Sequence, residues 1–92
     1  MNQNNTPKTC LHLKKIHPDI KAKTPEGCQE CLEQKMSWVA LRMCLSCGHI
    51  GCCDSSAGKH AQKHFNSTAH PIIEEFPGSS WRWCYVDEMY ID

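Results

Sequence analysis

The chain has 92 residues, with ten basic and ten acidic side chains and a formal net charge of zero. This length predicts one small domain, and the balanced charge provides no overall field that would favour nucleic acid. No apolar run approaches the roughly 18 residues that a membrane-spanning helix needs, so no membrane association is expected.

Cysteine and histidine are unusually frequent. The sequence holds 8 cysteines and 6 histidines, whereas its aliphatic and aromatic residues give only a thin core for a chain of this size. Such a chain is either a disulfide scaffold or a metal domain. Residues 1–7 lack the apolar core of a secretory signal, so we expect a cytoplasmic protein in a reducing compartment, where structural disulfides are rare. Metal ligation is therefore favoured.

The first part of the chain contains few signals of regular structure. Residues 1–9 are polar and are predicted to form a disordered tail, with the folded domain at 10–92. The segment 8–23 is basic but has no aromatic residue to stack on bases, so a solvated loop is favoured over a nucleic-acid interface. A turn at 25–27 leads into Cys28.

The rest of the chain is predicted to alternate between strands and one helix. Ser37–Met43 alternates loosely between apolar and polar residues, and a tight turn leads to a returning strand at Ile50–Cys52. Ser55 and Ser56 are candidate N-caps of a helix that ends near residue 67. Two more strands are expected at 72–76 and 81–86. The predicted fold is α+β, a small zinc-stabilised, twisted antiparallel sheet with one main helix.

Two Cys-x-x-Cys pairs give the strongest chemical signal, because a further cysteine and three histidines follow them. Two thiolates three residues apart can curl around one cation at about 2.3 Å. A single pair would also suit redox chemistry, but two pairs followed by histidines are typical of zinc. The candidate ligands are Cys28, Cys31, Cys44, Cys47, Cys52, His60, His64 and His70.

Eight ligands make two tetrahedral sets, so two zinc ions with closed, structural coordination shells are expected. His60 and His64 share one helix face but lie a turn apart, which favours neighbouring ions. Exchanging the late ligands closes both sites equally well, so spacing leaves the pairing open. Cys52 and Cys53 point to opposite sides of an extended segment, so only one is expected to be a ligand, with Cys52 preferred. The pairing we favour joins Cys28, Cys31, Cys52 and His60 in one site, and Cys44, Cys47, His64 and His70 in the other.

The order of these residues resembles the UBP-type zinc finger, a module of ubiquitin-specific proteases and of a cytoplasmic histone deacetylase. The resemblance implies a twisted sheet with one helix, the pairing favoured above and Cys52 as the ligand. It also implies no catalysis, because the protease chemistry of that family belongs to a separate, larger domain. The matching stretches are Trp38-Val39, the string from Cys44 to Cys52, Gly58 to His64, His70-Pro71 and Trp83-Cys84-Tyr85.

The resemblance further implies a third zinc site, which some members build from Cys-x-His near the start and Cys-x-x-Cys near the end. The matching residues are Cys10, His12, Cys84 and Asp87, with aspartate in place of the last cysteine. Aspartate can ligate zinc through oxygen, but it is uncommon in sulfur-rich structural sites. A third ion and a metal-free cluster of packed cysteines both stay open.

A pocket for a protein or peptide C-terminus is also implied by the resemblance. In members that bind ubiquitin, aromatic walls form a slot for Gly-Gly, and an arginine two positions after the ligand cysteine grips the carboxylate. That position holds Asp54, which repels a carboxylate, so ubiquitin binding is less well supported than the fold and the zinc. Arg42 or Arg82 would have to supply the missing charge. The matching aromatic walls are Trp38, Trp83, Tyr85 and Tyr90.

Other functional classes remain as alternatives to a zinc-binding interaction module. Closely spaced thiolates release zinc on oxidation, which would suit a thiol-based redox or zinc-buffering protein. A nucleic-acid-binding zinc module is less favoured. An enzyme is not expected, because the His-x-Glu and Pro-Cys-x-x-Cys signature of zinc deaminases is absent and nothing marks Cys53 as a nucleophile.

Overall fold

The computed structural model of the protein describes residues 11–91. The tail predicted at residues 1–9 and the candidate ligand Cys10 lie outside the described residues. None of the described helices is long and apolar enough to cross a membrane. In chain order the elements are a 3-10 helix (Leu11–Lys15), α1 (Gln29–Gln34), β1 (Leu41–Cys44), β2 (Ile50–Cys52), α2 (His60–Thr68), β3 (Ile72–Phe76), β4 (Arg82–Cys84) and β5 (Met89–Ile91).

The five strands form one sheet in the order β2-β1-β3-β4-β5, and every neighbouring pair is antiparallel. Strand β1 lies inside the sheet, with Leu41 opposite Cys52 of β2 and opposite Phe76 of β3. With α2 as its main helix, the structure confirms the predicted α+β fold.

The two faces of the sheet have different surroundings, because side chains alternate along each strand. On one face, Met43, Ile72, Cys84 and Ile91 are buried in the hydrophobic core. On the other face, Arg42, Ile73, Trp83 and Tyr90 follow one another across the strands, and α2 lies against β2 and β1. The uncovered part of this second face is the floor of a pocket described below.

The N-terminal segment is more ordered than the predicted solvated loop. Leu13, Ile16 and Ile20 pack against the core, and the backbone N–H of His17 donates to the carbonyl of Leu45 at 2.8 Å. The segment is rich in lysine, but its spaced apolar residues determine how it packs against the core. The lysines Lys14, Lys15 and Lys21 are exposed, as expected of a solvated loop, whereas the apolar side chains between them pack on the core.

Helix α1 was not predicted, because its N-cap is a thiol. Cys28 has an extended backbone, and its Sγ accepts from the N–H of Cys31 at 3.4 Å. The expected caps are Ser, Thr, Asp and Asn, so this helix start has no conventional sequence signal. Lys35 ends the six-residue helix in the left-handed conformation.

Several other element bounds differ from the sequence prediction. Helix α2 begins at His60, and its N-cap is Lys59, which has a positive φ and no side-chain cap bond. The serine expected as a cap has another role, since Ser56 Oγ accepts from the N–H of Val39 at 2.9 Å. Strand β1 begins at Leu41 rather than residue 37, β4 is shorter than expected and β5 was not predicted.

Helix α2 approaches β2 closely at Gly51, which leads to the first prediction. A methyl carbon added there would lie 2.5 Å from the backbone nitrogen of Ala61 and 2.7 Å from its Cα. Because both are backbone atoms of a packed helix, Gly51→Ala should lower the free energy of unfolding by about 1–3 kcal/mol. Urea denaturation of the zinc-loaded protein measures this.

The control is the opposite substitution, alanine to glycine, at the C-terminal end of α2. Ala69 has a φ of 64°, a conformation that glycine adopts without strain, so Ala69→Gly should raise stability by about 0.5–1 kcal/mol. A Gly51→Ala protein with the wild-type denaturation midpoint would contradict the close packing.

Candidate metal centres and an aromatic pocket

The first cluster joins the start of α1, the end of β2 and the start of α2. Cys28 and Cys31 flank the start of α1, Cys52 ends β2, and His60 begins α2. The Nδ1 atom of His60 lies 3.3 Å from Cys28 Sγ and 3.4 Å from the Sγ atoms of Cys31 and Cys52. The Sγ atoms of Cys31 and Cys52 are 3.8 Å apart, close to the edge of a tetrahedron with Zn–S bonds of about 2.3 Å.

The second cluster holds the turn after β1 against the C-terminal part of α2. Cys44 Sγ lies 3.5 Å from His70 Nδ1, and Cys47 Sγ lies 3.3 Å from His64 Nε2. The two imidazole nitrogens are 3.3 Å apart. Helix α2 thus gives one histidine to each cluster. Of the two pairings that spacing left open, the structure brings together the favoured one.

The donor chemistry fits zinc. Burial, with the neighbouring thiols Cys28 and Cys52, raises the pKa of Cys31 to about 12, and burial raises that of Cys44 to about 11. Burial next to His49 and His70 lowers the pKa of His64 to about 4, so this imidazole stays neutral. Zinc needs thiolates and neutral imidazoles, and a cation within each cluster stabilises the thiolates that burial disfavours. Each set supplies four ligands, as structural zinc requires.

Adjacent cysteines in β2 and the following loop have different partners. Cys52 Sγ lies in the first cluster and also accepts from the N–H of His60 at 3.2 Å. Cys53 is buried on the other side of the chain, where its Sγ lies 3.5 Å from Ser56 Oγ. The geometry supports Cys52 as the ligand.

A third group contains three of the four residues that the resemblance implied. Ligand atoms of His12, Cys84 and Asp87 lie within 4.8 Å of one another. His12 Nδ1 is 3.2 Å from Asp87 Oδ2 and 3.5 Å from Cys84 Sγ, and the N–H of Asp87 donates to that sulfur at 3.4 Å. Cys10 lies outside the described residues.

A carboxylate–histidine pair between the two zinc clusters was missed by sequence reasoning. His49 is buried, and its Nε2 lies 2.8 and 2.9 Å from the two carboxylate oxygens of Glu30. Its ring stacks on the ligand His64 with centroids 4.1 Å apart. Glu30 lies between the ligands Cys28 and Cys31 of the first site, and His49 contacts the ligand His64 of the second. The pair therefore connects residues that support the two metal sites. The only sequence signal for this pair was that Glu30 lies inside the first Cys-x-x-Cys pair and His49 lies just after the second.

Beside α2, the uncovered face of the sheet forms a pocket of about 490 Å³, within the range of small-ligand and peptide sites. Trp83 and Tyr90 contact edge to face at 4.9 Å between centroids, and Trp81 meets Tyr90 similarly at 5.5 Å. Phe65 of α2 stacks on Tyr85 at 4.8 Å.

Charged groups of both signs reach this pocket. Arg42 enters from β1, with its guanidinium 4.7 Å from the centroid of the Trp81 ring and Nη1 donating to the carbonyl of Leu41 at 2.8 Å. The acidic residues Asp54 and Glu88 also line the pocket. Burial and the charge of Asp54 raise the pKa of the Tyr85 hydroxyl, which therefore stays neutral.

Most of the predicted pocket residues meet here. Asp54, Trp83, Tyr85 and Tyr90 line the pocket. Trp38 does not; its ring lies against Gly27 and packs on the core. Of the two arginines considered from sequence, only Arg42 is a lining residue. Trp81 and Phe65 were not predicted, because neither belongs to the stretches that match the family.

Comparisons with known proteins agree with these features. The zf-UBP family model, described as "Zn-finger in ubiquitin-hydrolases and other protein", matches residues 28–92. The solution NMR structure of protein RPA1320 from Rhodopseudomonas palustris is 45% identical and has a TM-score of 0.82, with 100% of this chain and 84% of that chain covered.

Much larger proteins contain a similar segment. NAD-dependent deacetylase sir2A of Dictyostelium discoideum is 31% identical over 90% of this chain, which spans 14% of that protein. BRCA1-associated protein of Homo sapiens is 36% identical over 70% of the chain, which spans 10% of it. The chain therefore matches only a small part of these relatives.

The neighbouring cysteines provide a matched test of the first zinc site. Cys52→Ser should lose one zinc ion and unfold at a lower denaturant concentration, because an apparent binding free energy on the order of 10 kcal/mol per structural ion is lost. Cys53→Ser, one residue away, should keep both ions. Native mass spectrometry gives the metal count, and zinc loss from the Cys53 variant alone would contradict the ligand assignment.

Proposed function

This chain belongs to the family of zinc fingers found in ubiquitin hydrolases and other proteins, and on that basis we propose that it is a non-catalytic interaction module that binds a protein or peptide C-terminus in the aromatic pocket. The main support is Arg42, whose guanidinium lines a pocket walled by aromatic rings. A guanidinium offers a planar pair of donors that matches a carboxylate.

Arg42 is free to make such a contact. One of its nitrogens donates to the Leu41 carbonyl, and none of the carboxylates among residues 12–91 forms an ion pair with it. The remaining donors of the fork are available to a ligand. Arg42 thus substitutes in this chain for the arginine that the family pattern expects at the position of Asp54.

A structural role for zinc supports the non-catalytic part of the proposal. Catalytic zinc keeps an open coordination position, whereas each of the two complete clusters offers four protein ligands. Two buried thiols lie outside these clusters among the described residues: Cys53 has a serine hydroxyl beside it and not a histidine base, and Cys84 lies with His12 in the third group of ligand atoms. The first cluster is buried throughout, which also disfavours zinc release by mild oxidation, the alternative raised from sequence. The free thiols of the described cysteines suit the reducing, cytoplasmic location expected from sequence.

We further propose a third, weaker zinc site at His12, Cys84 and Asp87, whose ligand atoms converge as a zinc site requires. A carboxylate oxygen is a harder and poorer partner than a thiolate in a sulfur-containing structural site. This ion is therefore expected to bind less tightly than the other two.

Changes at Asp87 test the third ion. Wild-type protein with excess zinc should bind three ions, Asp87→Asn should bind two, and Asp87→Cys should hold three at a lower zinc concentration because thiolate replaces carboxylate. Native mass spectrometry across a zinc titration measures all three. Equal metal counts in wild type and Asp87→Asn at every zinc concentration would rule out this site.

The carboxylate contact of Arg42 is tested with a peptide that ends in Gly-Gly. Arg42→Gln should weaken its binding by about tenfold or more, since a charge-assisted pair with a carboxylate is lost. The peptide amide should bind wild-type protein about as weakly as the acid binds Arg42→Gln. The change in tryptophan fluorescence on titration reports binding, because Trp81 and Trp83 line the pocket.

Arg82→Gln is the matched control, because Arg82 lies on β4 outside the lining of the pocket. Both arginine variants should keep the wild-type zinc content. Equal affinities of acid and amide peptides for the wild-type protein would refute a carboxylate site.

A further inference from the structure

The pocket is lined by more acidic than basic side chains. Arg42 is positive, while Asp54 and Glu88 are both negative and both line the cavity. When Arg42 binds the carboxylate of a ligand, the site holds one positive group and three negative groups. A ligand that brings its own positive charge removes part of this excess, and a ligand with a neutral tail does not.

Within the part of the chain that the structure describes, the carboxylate of Asp54 has no partner. It makes no hydrogen bond or ion pair with any other described residue, although it faces the pocket beside Tyr85. Repulsion between this aspartate and the carboxylate of a bound C-terminus opposes binding, whereas the same negative charge attracts a cationic side chain of the ligand.

The backbone of the loop that carries Asp54 is held by hydrogen bonds on both sides of this residue. It follows the zinc ligand Cys52, and the N–H of Cys53 donates to the Ala40 carbonyl at 3.0 Å. The N–H of Ser56 donates to the Cys53 carbonyl at 2.9 Å, and Ser56 Oγ accepts from Val39. The backbone position of Asp54 at the pocket is therefore set before a ligand binds.

The remaining walls accept a cation as well. Trp81 and Trp83 each contact Tyr90 edge to face in the pocket, and aromatic faces attract ammonium and guanidinium groups. The Trp81 ring already holds one guanidinium, that of Arg42. An extended peptide advances about 3.3 Å per residue, so a cavity of about 490 Å³ receives only the last few residues of a chain.

Resting on the proposed function, we propose that the pocket selects C-termini that have a lysine or arginine within their last two residues, with Arg42 binding the carboxylate and Asp54 binding the basic side chain. Asp54 is then a specificity-determining residue. It converts a site for any C-terminus into a site for a basic one.

The test compares acetylated six-residue peptides that differ at the penultimate position only. One has lysine, one has norleucine as the uncharged analogue of similar length, and each is made as the free acid and as the amide. Isothermal titration and tryptophan fluorescence give the dissociation constants for zinc-loaded protein. The lysine acid is expected to bind wild type about three- to tenfold more tightly than the norleucine acid at low salt.

Asp54→Asn gives a signature that a loss of folding cannot imitate. The variant should bind the lysine acid more weakly than wild type does and the norleucine acid more tightly, because it loses an attraction in one case and a repulsion in the other. Asp19→Asn makes the same chemical change at an exposed residue outside the pocket, and it should leave both affinities unchanged.

The outcomes separate this inference from the proposed function. If both acids bind better than their amides but lysine and norleucine bind equally, Asp54 selects no cation and the inference is overturned, while carboxylate binding stands. If neither acid binds better than its amide, the proposed function fails and the inference with it. A lysine preference that persists in Asp54→Asn, with the Asp19→Asn control unchanged, would also overturn the role of Asp54.

Discussion

Helix α2 is held by two metal clusters at once, and this cross-bracing is the constraint on which the rest of the structure depends. His60 ties its first residue to α1 and to the end of β2, and His64 ties its second turn to the loop after β1. Structural zinc binds with an apparent free energy on the order of 10–16 kcal/mol, whereas small domains have a total stability of about 5–15 kcal/mol. Either ion thus contributes about as much as the whole net stability of such a domain, and the thin apolar core alone does not account for a folded chain.

The zinc ligands also position the pocket in which we propose that recognition takes place. Cys52 and His60 bind the same ion, so the loop between them is closed at both ends by metal. That loop places Asp54 at the rim of the pocket, and α2 presents Phe65 on its other side. The N-terminal segment and α1 bury one face of the sheet, so the aromatic residues on the opposite face remain available to a ligand. The metal clusters and the proposed recognition pocket therefore depend on the same short segments of chain.

The sequence predicted those parts of the fold that depend on residue type at fixed spacing. Cysteine pairs and the histidines of one helix gave both ligand sets, and their predicted pairing agrees with the geometry. Features that depend on unconventional local chemistry were missed. Helix α1 starts at a thiol cap, and α2 starts after a left-handed lysine, although two serines nearby have the usual capping chemistry. The Glu30–His49 pair escaped notice because it requires α1 and the turn before β2 to be packed together in three dimensions.

The role of Arg42 shows most clearly what strand register adds to sequence. In the linear sequence it belongs to a strand before the second cysteine pair, and nothing relates it to the position now held by Asp54. Antiparallel pairing puts it opposite Gly51 and Glu75, on the same face as Ile73, Trp83 and Tyr90. The Arg42 guanidinium lies on one face of the sheet and stacks on the ring of Trp81. Its position is more restricted than that of an arginine on an exposed loop, because both the strand that carries it and the neighbouring ring are fixed. With the positive charge on the sheet and an acidic residue on the loop, the pocket has separated charges of opposite sign, and this separation is what would allow the proposed discrimination among termini, which a single arginine does not provide.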